Sequence, residues 1–365
     1  MTSRIAIVGC GVISRTYAHT ISQLPFAELA ACVDQDVERA EKLASKFGAR
    51  ARTFDDVLRD PDIDAVVNLT PPLAHVAVSA AALHAGKAAF SEKPLGVDLA
   101  EGRELVELAR SKRLRLGCAP DTFLGAGLQT ARAVIDRGDI GEPVAANAFM
   151  LASGPESWHP SPAIFYERGA GPLFDMGPYY LTTLIQLLGP ARAVSAAARV
   201  SRAQRPITSE PLRGQMLDVE VPTHVGSLVE FASGPIATLV TSFDVQATRY
   251  FNIEVYGTEA TLSVPNPNTF TGPVRIKRSG DEAWTDVELL AATIPQQRGI
   301  GLADMLWAQE SGRAHRTSSE LALHVLELMT SALAAAEEGR RVDLETTCER
   351  SAPLPSGLPE NTFDD

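Results

Sequence analysis

The first third of the chain alternates short apolar runs with amphipathic stretches, and this rhythm limits the fold more than any other feature. The apolar runs lie at residues 4–8, 28–33, 65–69, 88–90 and 114–118, and the helical stretches at 14–23, 37–47, 75–85 and 99–111. Runs that are apolar at nearly every position suit strands buried on both faces, with the helices as cover. The alternation predicts an α/β, doubly wound parallel sheet.

After about residue 119 the texture changes. A helical stretch at 127–137 ends in Gly138-Asp139-Ile140-Gly141-Glu142-Pro143, which is dense turn chemistry. Strand-like runs follow at 144–151, 194–200, 224–231, 236–243, 250–256, 261–264, 274–277 and 285–289, with helical runs at 178–188, 302–311 and 318–338. Many strands with few helices between them predict an α+β domain with a mainly antiparallel open sheet. One face of that sheet would pack on helices, and the other suits a second copy of the chain. A length of 365 residues fits two domains. Their expected bounds are 1–120 and 121–345, with a loose or strapping tail at 346–365.

A net charge of −12 leaves no basic stripe to neutralise phosphates, which argues against nucleic acid or an anionic membrane as partner. No apolar stretch is read as approaching the ~20 residues that span a bilayer, and no targeting signal is expected. Cys10, Cys32, Cys118 and Cys348 lack metal-ligand spacing. They are expected to be reduced thiols of a cytoplasmic protein.

Motifs then narrow the chemistry. Gly9-x-Gly11 follows a strand and opens a helix. The first glycine permits a tight turn and the second lets a pyrophosphate approach the backbone. Ser14 holds the third fingerprint position and is small enough for close packing. The second strand ends at Asp34, 25 positions after Gly9, near the ~20-residue spacing of a ribose-binding acid. A carboxylate there repels a 2′-phosphate, and Gln35 does not welcome one. The expected cofactor is therefore NAD in preference to NADP, although Arg39 on the next helix keeps NADP open. Thr70, Pro71 and Pro72 form a stiff turn after the third strand, with His75 opening the next helix; all four are candidate cofactor contacts, as are Val12 and Ile13. Ser91-Glu92-Lys93-Pro94 ends the fourth strand. It puts a cation, Lys93, and its neighbour Glu92 where a nicotinamide and a substrate carbonyl would meet.

As an ordered set these residues resemble the Gfo/Idh/MocA oxidoreductase family. The matching pieces are residues 9–14, Asp34, Thr70-Pro71-Pro72 with His75, Glu92-Lys93-Pro94-Leu95-Gly96, and Gly169 to Gly177. The resemblance implies a Rossmann domain followed by an open α+β domain whose sheet mediates homodimers or homotetramers. It also implies NAD(P)-dependent hydride transfer on a sugar, polyol or related small molecule, and a proline of the Glu-Lys-Pro turn that is often cis. The family's second catalytic motif runs Asp, three residues, His. Here Asp175 is followed by Tyr179 in the histidine place, as in some other members.

Asp175 and Tyr179 are four apart and share a helix face. With Lys93 they are the candidate catalytic residues. A tyrosine ordinarily titrates near 10, and a nearby ammonium favours its phenolate. Tyr179 would be the general base in oxidation, Lys93 would bind the substrate oxygen, and Asp175 would orient Lys93 or a hydroxyl. The reverse assignment, with Lys93 as the proton donor and Tyr179 as a positioning group, is also open, and His159 is a third candidate, in place of the missing histidine. Trp158 and His159 are the leading substrate contacts, with Asp121, Phe123 and Arg168 as others. No metal is required, because hydride goes to the cofactor. Two other functions fit the same residues: a glycosidase that uses NAD transiently, and a dinucleotide sensor without turnover.

Overall fold

A computed structural model of the chain describes residues 2–250, 253–290, 296–355 and 362–364. The chain begins β1 (Ser3–Val8), α1 (Ser14–Gln23), β2 (Ala27–Val33), α2 (Val37–Phe47), β3 (Arg50–Ala51), α3 (Phe54–Arg59), β4 (Ala65–Asn68), α4 (His75–His84), β5 (Ala88–Ser91), α5 (Leu99–Lys112) and β6 (Leu116–Cys118). It continues α6 (Ala126–Asp136), β7 (Pro143–Leu151), α7 (Gly171–Leu188), β8 (Ala191–Arg199), β9 (Gln204–Pro206), β10 (Met216–Asp218), β11 (His224–Phe231) and β12 (Ile236–Ser242). It ends β13 (Ile253–Gly257), β14 (Ala260–Val264), β15 (Val274–Arg278), β16 (Thr285–Val287), α8 (Ile300–Ser311), α9 (Ser319–Glu338) and β17 (Val342–Asp343).

The chain forms two compact units. One contains Met1–Ala126, Leu290–Leu326 and Ser351–Asp365; the other contains Gly127–Leu289 and Glu327–Arg350. The first unit carries a six-stranded sheet in the order β3-β2-β1-β4-β5-β6, with every pairing parallel. Its strands are apolar because both faces are covered: on one face Ile5, Ile7, Val67 and Phe90 share a core with Tyr17, Leu43, Leu302 and Met305, and on the other Ala6, Val66 and Ala89 are fully buried. Leu302 and Met305 come from α8, so this helix packs on the parallel sheet, although it follows the second sheet in sequence. The edge strand β3 and helix α3 escaped the sequence reading, because two exposed residues and a six-residue helix leave little periodicity.

The tail is a strap rather than a loose end. Arg316, 2% exposed, donates to the carbonyls of Ala352 and Pro353 and to both oxygens of Asp364 at 2.7 and 2.8 Å. Phe363 is buried beside Trp307. The rest of the predicted tail, 356–361 and 365, lies outside the described residues, as do 251–252 of the predicted strand at 250–256.

The second unit is built on a nine-stranded sheet in the order β16-β15-β14-β13-β7-β12-β11-β8-β17. All its pairings are antiparallel except β12 with β7. Burial alternates along β11 and β14, as expected of strands with one covered face. Helix α7 packs on β7, β11 and β12. It begins at Gly171, seven residues before the predicted start at 178. Two prolines compete for the first turn; Pro172 takes it, and Pro178 sits inside the helix. A separate two-stranded ribbon, β9 with β10, was also unforeseen.

Among the described residues, α9 is the one helix long and apolar enough to cross a bilayer, a stretch the sequence reading passed over. Two-thirds of it, 67%, is buried in protein, which marks a core helix.

Candidate active site

The dinucleotide end is built at the carboxyl ends of β1 and β2. The chain leaves β1 through Gly9, whose φ of +97° is left-handed. A Cβ there would lie 2.6 Å from the Leu69 carbonyl, so only glycine fits. Gly11 is different, because a Cβ built on it meets nothing within 4 Å. The protein's own packing does not demand glycine at 11, and the open space beside it leaves room for a ligand to approach the backbone. Helix α1 then begins with no side-chain cap and no acid in its first turn, leaving N–H groups for an anion. Val12 is exposed, Ile13 half-buried, and Ser14 is buried with its Oγ donating to the Gly11 carbonyl at 2.6 Å.

Asp34 stands just past β2 and is half-buried. Its Oδ2 accepts the Cys10 N–H at 2.6 Å and its Oδ1 the Asp36 N–H at 2.9 Å. A carboxylate has about four acceptor sites, so it can still take ribose hydroxyls. Gln35 is exposed, and Arg39 pairs with Asp36 at 3.0 Å. The cradle at Gly11, the uncapped helix start and this carboxylate together fit a dinucleotide.

Lys93 is rooted in a polar network beneath the ends of β4 and β5. Asn68 closes β4 and is fully buried. Its Oδ1 accepts the Thr70 hydroxyl at 2.6 Å, and its Nδ2 donates to the His75 carbonyl at 2.9 Å and Ser79 Oγ at 3.0 Å. Its carbonyl accepts the Glu92 N–H at 2.9 Å. The Glu92 carboxylate in turn accepts the Tyr17 hydroxyl at 2.9 Å and the Lys93 N–H at 3.0 Å. The Lys93–Pro94 peptide is cis. Pro71 is exposed and Pro72 opens a single 3₁₀ turn ahead of α4.

His75 does not face a ligand, contrary to the expectation from sequence. It is 1% exposed, with Nδ1 2.7 Å from the Pro94 carbonyl and Nε2 2.8 Å from the Thr70 carbonyl. The ring therefore ties the Thr-Pro-Pro turn to the Glu-Lys-Pro turn. Burial holds its pKa below the ordinary histidine value, against the pull of those two carbonyls.

Asp121 and Phe123 also require correction. Both are buried in the first unit, 1% and 2% exposed. The Asp121 Oδ2 accepts the N–H groups of Gly299 and Gly301 at 2.7 and 3.0 Å. It thus caps the start of α8 instead of meeting a substrate. Burial pushes its pKa up to about 6, despite those two N–H groups.

In the second unit, Asp175 and Tyr179 lie one turn apart on α7, Asp175 half-buried and Tyr179 6% exposed. The segment 152–170 leads into this helix. Trp158 on it is 66% exposed and stands edge-on to His159 and Phe165, with ring centroids 5.4 and 6.0 Å away. His159 Nδ1 accepts the Ser161 N–H at 3.0 Å. This contact fixes the tautomer of a neutral ring, with its proton on Nε2. Arg168 is exposed. Sequence reasoning missed Tyr17, Asn68 and Arg205, which anchor these pieces. Asn68 left a trace, a polar residue in a buried strand; Tyr17 and Arg205 left none.

The comparisons with known proteins agree with this layout. A profile described as the oxidoreductase family with an NAD-binding Rossmann fold matches residues 3–119, and the Gfo/Idh/MocA C-terminal domain matches 128–263. The chain belongs to the Gfo/Idh/MocA family and is an oxidoreductase with an NAD-binding Rossmann domain. It is 30% identical to a trans-1,2-dihydrobenzene-1,2-diol dehydrogenase of Mus musculus, over 55% of this chain and 61% of that enzyme. An inositol 2-dehydrogenase of Rhizobium meliloti (strain 1021) is 25% identical over 94% of this chain and its whole length. The crystal structure of an NAD binding oxidoreductase from Klebsiella pneumoniae superposes with a TM-score of 0.79 at 25% identity, covering 94% of this chain and 99% of that one.

Proposed function

We propose that this chain transfers hydride between NAD and a ring hydroxyl of a sugar, polyol or cyclic diol. The observation that carries this reading is the rooting of Lys93: both oxygens of Glu92 are engaged, so the lysine is presented from a fixed turn beside the dinucleotide cradle. The first unit serves the cofactor and the second the substrate. The remaining carboxylate lone pairs of Asp34 favour ribose hydroxyls, and its charge repels a 2′-phosphate. NAD is preferred over NADP on these grounds. Gly11, Val12 and Ile13 would meet the pyrophosphate, and Thr70 to Pro72 would wall the cofactor.

When bound, NAD would supply the acceptor for the hydride of the substrate carbon. The chain's own residues manage the proton. Lys93 holds the substrate oxygen, Tyr179 accepts the hydroxyl proton in oxidation and returns it in reduction, and Asp175 orients them. His159 donates through Nε2 to a neighbouring hydroxyl, and its tautomer makes it a donor rather than a base. Trp158 covers an apolar ring face, and Arg168 guards the approach. The open face of the nine-stranded sheet carries Phe149, Leu228, Ile236 and Val240; we place a homodimer or homotetramer contact there. Four buried thiols suit a cytoplasmic setting.

The test is incubation with NAD and a panel of inositols, aldoses and cyclic trans-diols. Stoichiometric formation of reduced nicotinamide with a ring polyol is expected. Binding of NAD without turnover across the panel would mean a sensor. Substrate cleavage with no net reduction of NAD would mean a transient-redox glycosidase.

A further inference from the structure

Arg205 lies on β9, remote in sequence from every motif above, and is 4% exposed. Its guanidinium donates to Asp244 Oδ1 at 2.7 Å, to the Ser153 carbonyl at 2.9 Å, to the Phe243 carbonyl at 2.8 Å and to Glu156 Oε1. It also lies over the Tyr166 ring, 5.3 Å from the centroid. Ser153, Glu156 and Tyr166 belong to segment 152–170, while Phe243 and Asp244 follow β12. One planar fork therefore fastens the segment that presents Trp158 to the end of the sheet.

The fastening continues outward from this root. The Glu156 carbonyl accepts the N–H groups of Thr208 and Ser209 at 2.9 and 2.8 Å, and Ser209 Oγ donates to the His159 carbonyl at 2.5 Å. Asp244 is held in turn by Ser201 and Thr223 hydroxyls, each at 2.6 Å. A buried ion pair adds little net stability over apolar packing, and its best-attested use is to specify one conformation. Here the specified conformation holds an indole at 66% exposure, where burial alone would have pulled it inward.

We propose that Arg205 is a positioning residue for substrate recognition, setting Trp158 and His159 at the angle from which they meet a ring substrate. The inference rests on the reading of Trp158 and His159 as substrate contacts. Lysine cannot replace it, because a single ammonium does not span carboxylates and carbonyls that lie in the plane of a five-donor fork.

The test uses the full chain carrying Arg205→Lys or Glu156→Gln, the second retaining shape and most hydrogen bonds should the first not fold. Amide exchange across 152–168 is expected to quicken at least tenfold, with the parallel sheet unchanged. KM for the ring polyol turned over fastest should rise at least tenfold, with NAD affinity and kcat within threefold of wild type. Unchanged exchange would overturn the positioning role, as would faster exchange with an unchanged KM. If Trp158→Ala leaves KM unaltered while the Arg205 variant raises it, the substrate contacts have been misassigned and the proposal falls with them. A parallel loss of NAD affinity would signal general destabilisation and equally contradict it.

Discussion

Gly9 and Gly11 sit two residues apart and do different work. The first is demanded by the fold, since its backbone is left-handed and its surroundings leave no room for a Cβ. The second is not demanded by the fold, and its place in the proposed dinucleotide cradle is what would select it. Gly9→Ala should therefore cost roughly 3 kcal/mol or more of stability. Gly11→Ala should leave stability within about 1 kcal/mol while NAD affinity falls about tenfold or more. Denaturant titration and NAD titration of both variants separate the two effects. Asp121 supplies a second prediction at this scale. Its folded pKa is raised from 3.8 to about 6, so between those values the folded chain keeps a proton that the unfolded chain releases. Its stabilising contribution is complete below pH 3.8, is lost as pH rises toward 6, and is flat beyond. At about 1.4 kcal/mol per unit this amounts to about 3 kcal/mol. Unfolding free energies across that window should lose this slope in Asp121→Asn.

Among the elements, the C-terminal strap makes the clearest demand. Arg316 is buried between Asp304 and Asp364, with Asp304 Oδ1 at 2.6 Å. Asp364→Ala should cost about 1–3 kcal/mol, seen as a lower denaturant midpoint at constant m. An unchanged midpoint would mean that the strap is ornamental. What the sequence made legible at this scale follows from the same physics. Strands β1, β4 and β5 could be found because full burial leaves uninterrupted apolar runs. The start of α7 could not, because Pro178 imitates a first-turn proline. The roles of His75 and Asp121 were also hidden. A polar residue that follows a parallel strand reads as a ligand contact, whereas His75 bonds to the backbone carbonyls of Thr70 and Pro94, and Asp121 to the N–H groups of Gly299 and Gly301, far along the chain. The motif residues Gly9, Gly11, Asp34 and Lys93 were visible because their spacing is set within one βαβ rhythm. Arg205 belongs to no such rhythm.

At the scale of the whole molecule, two proposals stand on different surfaces. Phe149 and Val240 pair across β7 and β12, on the sheet face that also carries Leu228 and Ile236. A charge there is incompatible with a buried apolar contact. Sedimentation should show a dimer or larger for the wild type and a monomer for Val240→Glu; equal masses would refute the sheet-mediated assembly. The central proposal is that a lysine from one unit and a tyrosine from the other serve the same proton and oxygen. The direct measurement is a double-mutant cycle in kcat with the preferred ring polyol. Lys93→Ala and Tyr179→Phe should each lower kcat by about 10²–10⁴, and the double variant should fall within about threefold of the slower single one, as groups acting as a unit do. Losses that multiply, or a Tyr179→Phe chain that turns over like the wild type, would contradict the account.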